Sequence, residues 1–418
     1  MEDKRHAVVV NKKIKFDIDE AGLCRVMAIA PIKAGEQIIE EKPIIHALIG
    51  PFHGKVCQTC AKESTNLQRC SGCKYVHYCS QDHQIEDWKA AHKKECGAFK
   101  KLCESEKTKL THSTIILAKA YAQLELLDNQ ELRRYIESLP SNHDKVRGNK
   151  KEFYANNAKK VLEAYGDTSA DKLNEYQMHL DKLLSNGVLV LGKKHADDAI
   201  ACALYPAIRK ARHSCVPSAF TATNSKFMHR LVACRDIAEG EEITCPYIDL
   251  DQDVSWRHAH LKENFGIRCR CAKCIMESKD KAFLTSPKFL KEKMYIEPKT
   301  EDDLDYYVKR CREILPEFDY AWFLAFDQAT ECLMRLGQHE YYYQLLKHMI
   351  PKYEKLYEES PLNPVVGRLY HKLACLAHKF GEKHEALKCA NKSLELLQPY
   401  YSEKHIRELQ IIVQHNSR

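Results

Sequence analysis

Twelve residues have types and spacings suited to binding metal. The run Cys57-x2-Cys60-x9-Cys70-x2-Cys73-x5-Cys79-x3-His83-x8-His92-x3-Cys96 supplies eight of them, and Cys215, Cys269, Cys271 and Cys274 supply four more. Zn²⁺ takes thiolate and imidazole ligands tetrahedrally, so four such residues at short spacing make one site and twelve make three. The longer run alternates in pairs. In a cross-brace module the first and third pairs share one ion, and the second and fourth share the other. This predicts Cys57, Cys60, Cys79 and His83 at one site, and Cys70, Cys73, His92 and Cys96 at the next. His92 and Cys96 are spaced i,i+4 and face one metal if they lie on a helix. Trp88 falls one turn earlier on that face and is expected to cap the small core. A module of about 40 residues buries too little area to fold alone, so zinc must supply much of its folding energy.

The bulk composition sets bounds on the rest. A chain of 418 residues allows two or three domains with a full core, and 44% apolar with 29% charged residues is ordinary for a soluble globular protein. The N-terminal Met1-Glu2-Asp3-Lys4-Arg5-His6 lacks a signal-peptide core. No apolar run of about 18 residues exists, so no membrane span is expected. Nineteen cysteines without a signal read as reduced thiols and metal ligands, in the cytoplasm or the nucleus. The formal charge of +7 is a small surplus that requires no nucleic-acid partner.

The elements that must position these residues are legible in outline. Ala7-Val8-Val9-Val10 and Glu36-Gln37-Ile38-Ile39-Glu40 read as strands, with Lys33–Glu36 as a turn. From 97 to about 190 the apolar spacing is helical, clearest over Leu110–Leu127. The polar stretch Ser141–Lys160 reads as a surface excursion. Residues 196–250 return to short strands, with Phe227–Cys234 as one and a turn at Glu239-Gly240. A charged stretch from Cys274 to about Asp303 reads as a linker, and helices follow from 304. There Leu336-Gly337-Gln338-His339-Glu340 and Phe380-Gly381-Glu382-Lys383-His384 recur, each before a long helix. Ala374, Gly381, Ala386 and Pro399 stand near tetratricopeptide positions, where small residues let paired helices approach.

Two sets of motifs carry a resemblance. Cys57-Gln58-Thr59-Cys60, Cys70-Ser71-Gly72-Cys73, Tyr78-Cys79-Ser80-Gln81-Asp82-His83 and Trp88-Lys89-Ala90-Ala91-His92-Lys93-Lys94-Glu95-Cys96 resemble a MYND finger, with histidine at 83 where that family usually has cysteine. Arg212-His213-Ser214-Cys215, then Glu239-Gly240-Glu241-Glu242-Ile243-Thr244-Cys245-Pro246-Tyr247, then Cys269-Arg270-Cys271-Ala272-Lys273-Cys274 resemble a SET domain with its post-SET zinc loop. Together they have the layout of the SMYD proteins. The resemblance implies an α+β fold: a β-rich SET core (1–50 and 196–250), split by a MYND finger (57–96) and a helical insert (97–195). A post-SET loop (251–278) and an α-helical, tetratricopeptide-like C-terminal domain (304–418) follow.

By resemblance the family transfers a methyl group from S-adenosylmethionine (SAM) to a lysine of a histone or another protein. Tyr247 would orient the amine, while His213, Asn186 and Phe265 would line the cofactor and lysine site. MYND fingers imply peptide partners, often proline-rich, rather than base reading, and a monomer is expected. The sequence also departs from the family. Its Gly-x-Gly turn is reduced to Ala21-Gly22-Leu23, and its Asn-His-Ser-Cys begins with Arg212. Arg209, Lys210 and Arg212 would place three cations near a sulfonium, a repulsive arrangement. An alternative reading is therefore a zinc-stabilised adaptor, impaired in catalysis, that recruits partners through the finger and the C-terminal helices in transcriptional control.

Overall fold

The computed structural model describes residues 6–105, 110–139, 141, 143, 148–191, 199–223, 227–279, 302, 306, 309, 320–401 and 403–417. The chain forms two compact units, each assembled from three separate segments. The first comprises Met1–Val10, Ile39–Lys210 and Thr223–Arg230; the second comprises Asn11–Ile38, Ala211–Ala222 and Leu231–Arg418.

The first unit is built on a three-stranded antiparallel sheet, with Ala199–Leu204 between Ile45–Leu48 and Val188–Leu191. The central strand reads Ala-Ile-Ala-Cys-Ala-Leu, apolar at every position. It is buried on both faces, so it has no reason to alternate. The helix His112–Tyr121 is buried from Ser113 to its end. It shares a core with the helices Lys93–Ser105, Asn149–Tyr165 and Ala170–Asn186, through Phe99, Leu102, Ile116, Leu117, Val161, Leu162, Leu180 and Leu183. The expected surface excursion at Ser141–Lys160 is corrected here: Asn149–Tyr165 is a helix that buries Tyr154, Asn157 and Ala158. Its polar composition hid one inward face. Tyr154 donates to Asp181 at 3.1 Å, and Asn157 accepts from Thr114 at 2.6 Å, so these polar side chains enter the core with partners.

The second unit holds a four-stranded sheet in the order Arg212–His213, Glu242–Cys245, Cys24–Ala28, Ile14–Ile18. The first pair is parallel, with His213 beside Cys245, and the others are antiparallel. The helices Val254–Phe265 and Ala272–Lys279 follow, so the expected post-SET loop is largely helical. Residues 280–301 of the expected linker lie outside the described residues. The C-terminal region is helical, as expected. Ala321–Leu336 pairs with His339–Leu356, Pro364–Lys379 pairs with Lys383–Leu397, and Glu403–Asn416 closes the array. The recurring glycines do the same job twice. Gly337 and Gly381 have φ of 70° and 78°, left-handed values that end one helix and aim the next. Ala374 and Ala386 are fully buried between paired helices. Among the described residues no helix is long and apolar enough to cross a membrane.

Candidate metal and active sites

All twelve sequence-predicted metal ligands come together in the predicted groups of four, each group with its donor atoms within 4.8 Å of one another. A zinc–sulfur bond of about 2.3 Å gives a tetrahedron with edges of about 3.8 Å, slightly less where nitrogen replaces sulfur. The separations match. Cys60 and Cys79 sulfurs lie 3.6 Å apart, Cys70 and Cys96 3.8 Å, and Cys215 and Cys274 3.5 Å. Cys73 Sγ is 3.6 Å from His92 Nε2, and Cys79 Sγ is 3.1 Å from His83 Nδ1. The three sets fit three zinc ions.

Local backbone explains how short sequence spacing becomes a tetrahedron. In both Cys-x2-Cys turns the next residue, Ala61 or Lys74, is left-handed at φ 58° or 55°. Its N–H donates to the carbonyl of the first cysteine, at 3.1 and 2.9 Å. A non-glycine residue pays about 1–2 kcal/mol for that conformation, which metal ligation can offset. Gly72 is required for space: a Cβ there would meet Cys96 Sγ at 2.8 Å. Ser80 caps the helix Gln81–Asp87, and one π-helical turn, Trp88–His92, joins it to Lys93–Ser105. Trp88 meets the His92 ring edge-on at 5.8 Å but stays 39% exposed, so it shields the site only in part.

What lies behind these ligands has no signature in the sequence. His92 Nδ1 faces the buried Glu95 carboxylate at 3.7 Å, and Lys119 stands 3.5 Å from the same carboxylate. A carboxylate behind a ligating histidine fixes its ring and tautomer. Behind the four-cysteine set, the fully buried Arg257 pairs with Glu277, donates to the Gln252 carbonyl and lies 3.9 Å from Cys274 Sγ. Tyr320 donates to the other oxygen of Glu277 at 2.6 Å.

The predicted catalytic residues divide between the two units. His213, Tyr247 and Phe265 come together in the second. Tyr247 packs between the other two rings, at centroid distances of 5.6 and 5.5 Å, and its hydroxyl donates to the Ala211 carbonyl at 2.9 Å. His213 is committed at both nitrogens. Nδ1 accepts the Tyr247 backbone N–H at 3.0 Å, and Nε2 lies 3.3 Å from Cys215 Sγ. The imidazole thus links the four-cysteine set to the backbone of Tyr247. Asn186 belongs to the first unit, where it is buried at the end of its helix and donates to the Lys182 carbonyl at 2.9 Å.

The predicted run of three cations needs correction. Arg212 is not an uncompensated charge. Its Nε and Nη2 engage both oxygens of Glu242 at 2.5 and 2.6 Å, and its Nη1 donates to Asp19. The hydrogen bond to Glu242 raises its pKa further. The same Asp19 accepts the N–H groups of Ala21 and Leu23 at 3.0 and 2.9 Å, closing the Asp19–Leu23 turn on itself. The backbone bond from Leu23, with help from Arg212, holds its carboxyl below the usual range against partial burial. Two carboxylates against one guanidinium leave this clasp formally −1. Arg209 and Lys210 lie in the first unit, in the short 3₁₀ turn Ile208–Lys210.

The MYND finger family model matches residues 57–96. Over 400 residues the chain is 23% identical to the histone-lysine N-methyltransferase SMYD3 of Mus musculus, covering 90% of this chain and 91% of that protein. The chain thus carries a MYND finger and is similar along most of its length to a SMYD methyltransferase. It is also 26% identical to the N-lysine methyltransferase SMYD2 of Homo sapiens over 296 residues, 70% of this chain and 65% of that one. To the histone-lysine N-methyltransferase ASHR1 of Arabidopsis thaliana it is 28% identical over 250 residues, 58% of this chain and 51% of the relative. These two matches span about two thirds or less of the relatives. Among solved structures, the SET domain of LSMT bound to MeLysine and AdoHcy aligns with TM-score 0.38 and 13% identity, over 97% of this chain and 93% of that one.

Proposed function

We propose that this chain is a SMYD-type, SAM-dependent protein-lysine N-methyltransferase acting on a histone or non-histone protein, with Tyr247 as the catalytic residue. The observation that carries the reading is the Tyr247 hydroxyl. Its proton is given to the Ala211 carbonyl at 2.9 Å, which orients the oxygen that an N–H of a lysine amine would meet. That contact would aim the nitrogen lone pair. SAM, when bound, supplies an electrophilic methyl on a sulfonium. The amine must be deprotonated, from an ordinary pKa of about 10.4, and the aromatic walls of Phe265 and Tyr247 favour its neutral form by desolvation. Positioning supplies most of the rate in such a displacement. The net negative clasp of Asp19, Arg212 and Glu242 is compatible with a sulfonium ligand. On this reading 1–50 and 196–250 form the SET core, 251–278 the post-SET segment and 304–418 the C-terminal domain. Asn186 is also proposed as a cofactor contact. The zinc ligands are Cys57, Cys60, Cys79 and His83; Cys70, Cys73, His92 and Cys96; and Cys215, Cys269, Cys271 and Cys274.

A second reading rests on the same clasp. The Asp19–Leu23 turn spends its donors and acceptors on itself and on Arg212, which leaves fewer for a cofactor. It would make the protein an adaptor whose finger and C-terminal helices recruit peptides, proline-rich on the finger side. Titration calorimetry with SAM and its demethylated product, alongside methyl transfer from radiolabelled SAM to protein substrates, separates the two. The methyltransferase reading requires micromolar binding, and turnover that Tyr247→Phe abolishes while binding stays unchanged. Absence of SAM binding by the zinc-loaded wild type would leave the adaptor.

A further inference from the structure

The helices Pro364–Lys379 and Glu403–Asn416 carry a side-chain group that neither methyl transfer nor the three zinc sets uses. His371 and Cys375 are spaced i,i+4 on Pro364–Lys379, so they share a face. Glu408 comes from Glu403–Asn416 across the seam. One imidazole nitrogen, one thiol sulfur and one carboxylate oxygen lie within 4.8 Å of one another, and His371 Nε2 is 3.3 Å from the Glu408 carboxylate. Two turns along the same seam the His378 and His415 rings stand 5.9 Å apart, with Asn416 bonded to His378 at 3.0 Å.

We infer that His371, Cys375 and Glu408 form a fourth metal site, of an open three-ligand kind, for a divalent transition ion of zinc type. Mixed nitrogen, sulfur and oxygen donors suit zinc and cobalt and exclude calcium or magnesium, which take oxygen shells. Three protein ligands leave a fourth tetrahedral position for water or a donor from another molecule, the pattern of an exchangeable site rather than a closed structural one. Access is consistent with that. The Glu408 side chain is 68% exposed and that of His371 27%, whereas the buried ligands of the other sets sit behind the protein. On binding, the Cys375 thiol gives its proton to solvent, the metal–sulfur bond forms, and Glu408 turns from its histidine partner to the ion. The ion would then staple the final helix to the one that packs on it.

The test uses full-length protein with its three zinc ions in place, titrated with Co²⁺. The wild type is expected to take up one further equivalent, with a thiolate-to-cobalt charge-transfer absorption, and Zn²⁺ should displace it. Cys375→Ser should remove that absorption and weaken uptake roughly tenfold or more, and Glu408→Gln should weaken it by a similar factor, both with helix content unchanged. No further uptake by the wild type at about 1 mM Co²⁺ would overturn the site and leave an ordinary His371–Glu408 ion pair. Equal uptake and equal absorption in Cys375→Ser would overturn it as well, since the cobalt would then be exchanging into the cysteine-rich sets.

Discussion

Glu277 is the most sensitive single position in the core behind Cys274. It is 2% exposed, and it neutralises a guanidinium that is 0% exposed. Its second oxygen accepts the Tyr320 hydroxyl at 2.6 Å, and Arg257 also lies over the Tyr320 ring at 5.5 Å. Glu277→Ala strands the cation where water does not reach. Breaking one side of a buried pair costs about 3–5 kcal/mol, and the orphaned hydroxyl adds about 1 kcal/mol. The expected loss is therefore about 4–6 kcal/mol from the second unit. For a body of that size this is roughly 10–20 °C in the midpoint of thermal unfolding. The transition can be followed by fluorescence of Trp256 and Trp322, which both belong to this unit. A zinc-sensitive dye in the same cuvette should report release from Cys215, Cys269, Cys271 and Cys274 within that transition. The double variant Arg257→Met with Glu277→Leu removes both charges and should recover most of the loss. A loss below about 1 kcal/mol for Glu277→Ala, or a double variant less stable than the single one, would refute the account of a charge pair buried for the sake of the cluster.

Four further outcomes are expected. Metal analysis after dialysis against metal-free buffer should find three retained zinc equivalents per chain; Cys73→Ala should lose one and unfold 57–96, seen as loss of hydrogen-exchange protection there. Cys271→Ala should lose one equivalent with the finger still protected. Burial, reinforced by Asp249, raises the Asp251 pKa from 3.8 to about 6. The folded state thus holds that proton more tightly than the unfolded chain, so the group's stabilising contribution is full below about pH 4 and is lost as pH rises towards 6; Asp251→Asn should stabilise by about 2–3 kcal/mol in urea melts at pH 7, with the gain vanishing near pH 4. Arg212→Asn unpairs two carboxylates whose side chains are 18% and 26% exposed, so it should cost only about 1–2 kcal/mol while speeding proteolysis at the Asp19–Leu23 turn; an unchanged cleavage rate would show that the turn holds itself closed.

Legibility in the sequence followed sequence distance. The zinc sets were readable because tetrahedral geometry forces short, fixed spacings: Cys269, Cys271 and Cys274 fall within one turn and a helix start, and only Cys215 comes from afar. The helix pairs were readable because Gly337 and Gly381 carry a backbone requirement that few other residues meet. The supporting shell was not readable. Arg257, Glu277 and Tyr320 are ordinary surface-type residues in composition, and only folding places them within reach of one another. The same holds for Arg212. As one residue in a basic run it suggested repulsion, but its partners Asp19 and Glu242 come from strand ends that the sequence does not bring near it. Asn149–Tyr165 was missed for the opposite reason: its polar surface outnumbers the narrow face it buries.

The sheet of the second unit joins the two ends of a long interval in chain order. Val26 pairs with Ile243, more than 200 residues later, while its other edge is taken by Phe16 of the neighbouring strand. A ribosome adds roughly 5–20 residues per second, so Cys24–Ala28 waits on the order of 10–40 s for Glu242–Cys245 to emerge. During that time an apolar strand edge is unpaired while the whole first unit, finger included, has already been made. The first unit is therefore complete in synthesis while one edge of the Cys24–Ala28 strand still waits, and this early-made strand is among the last to complete its pairing.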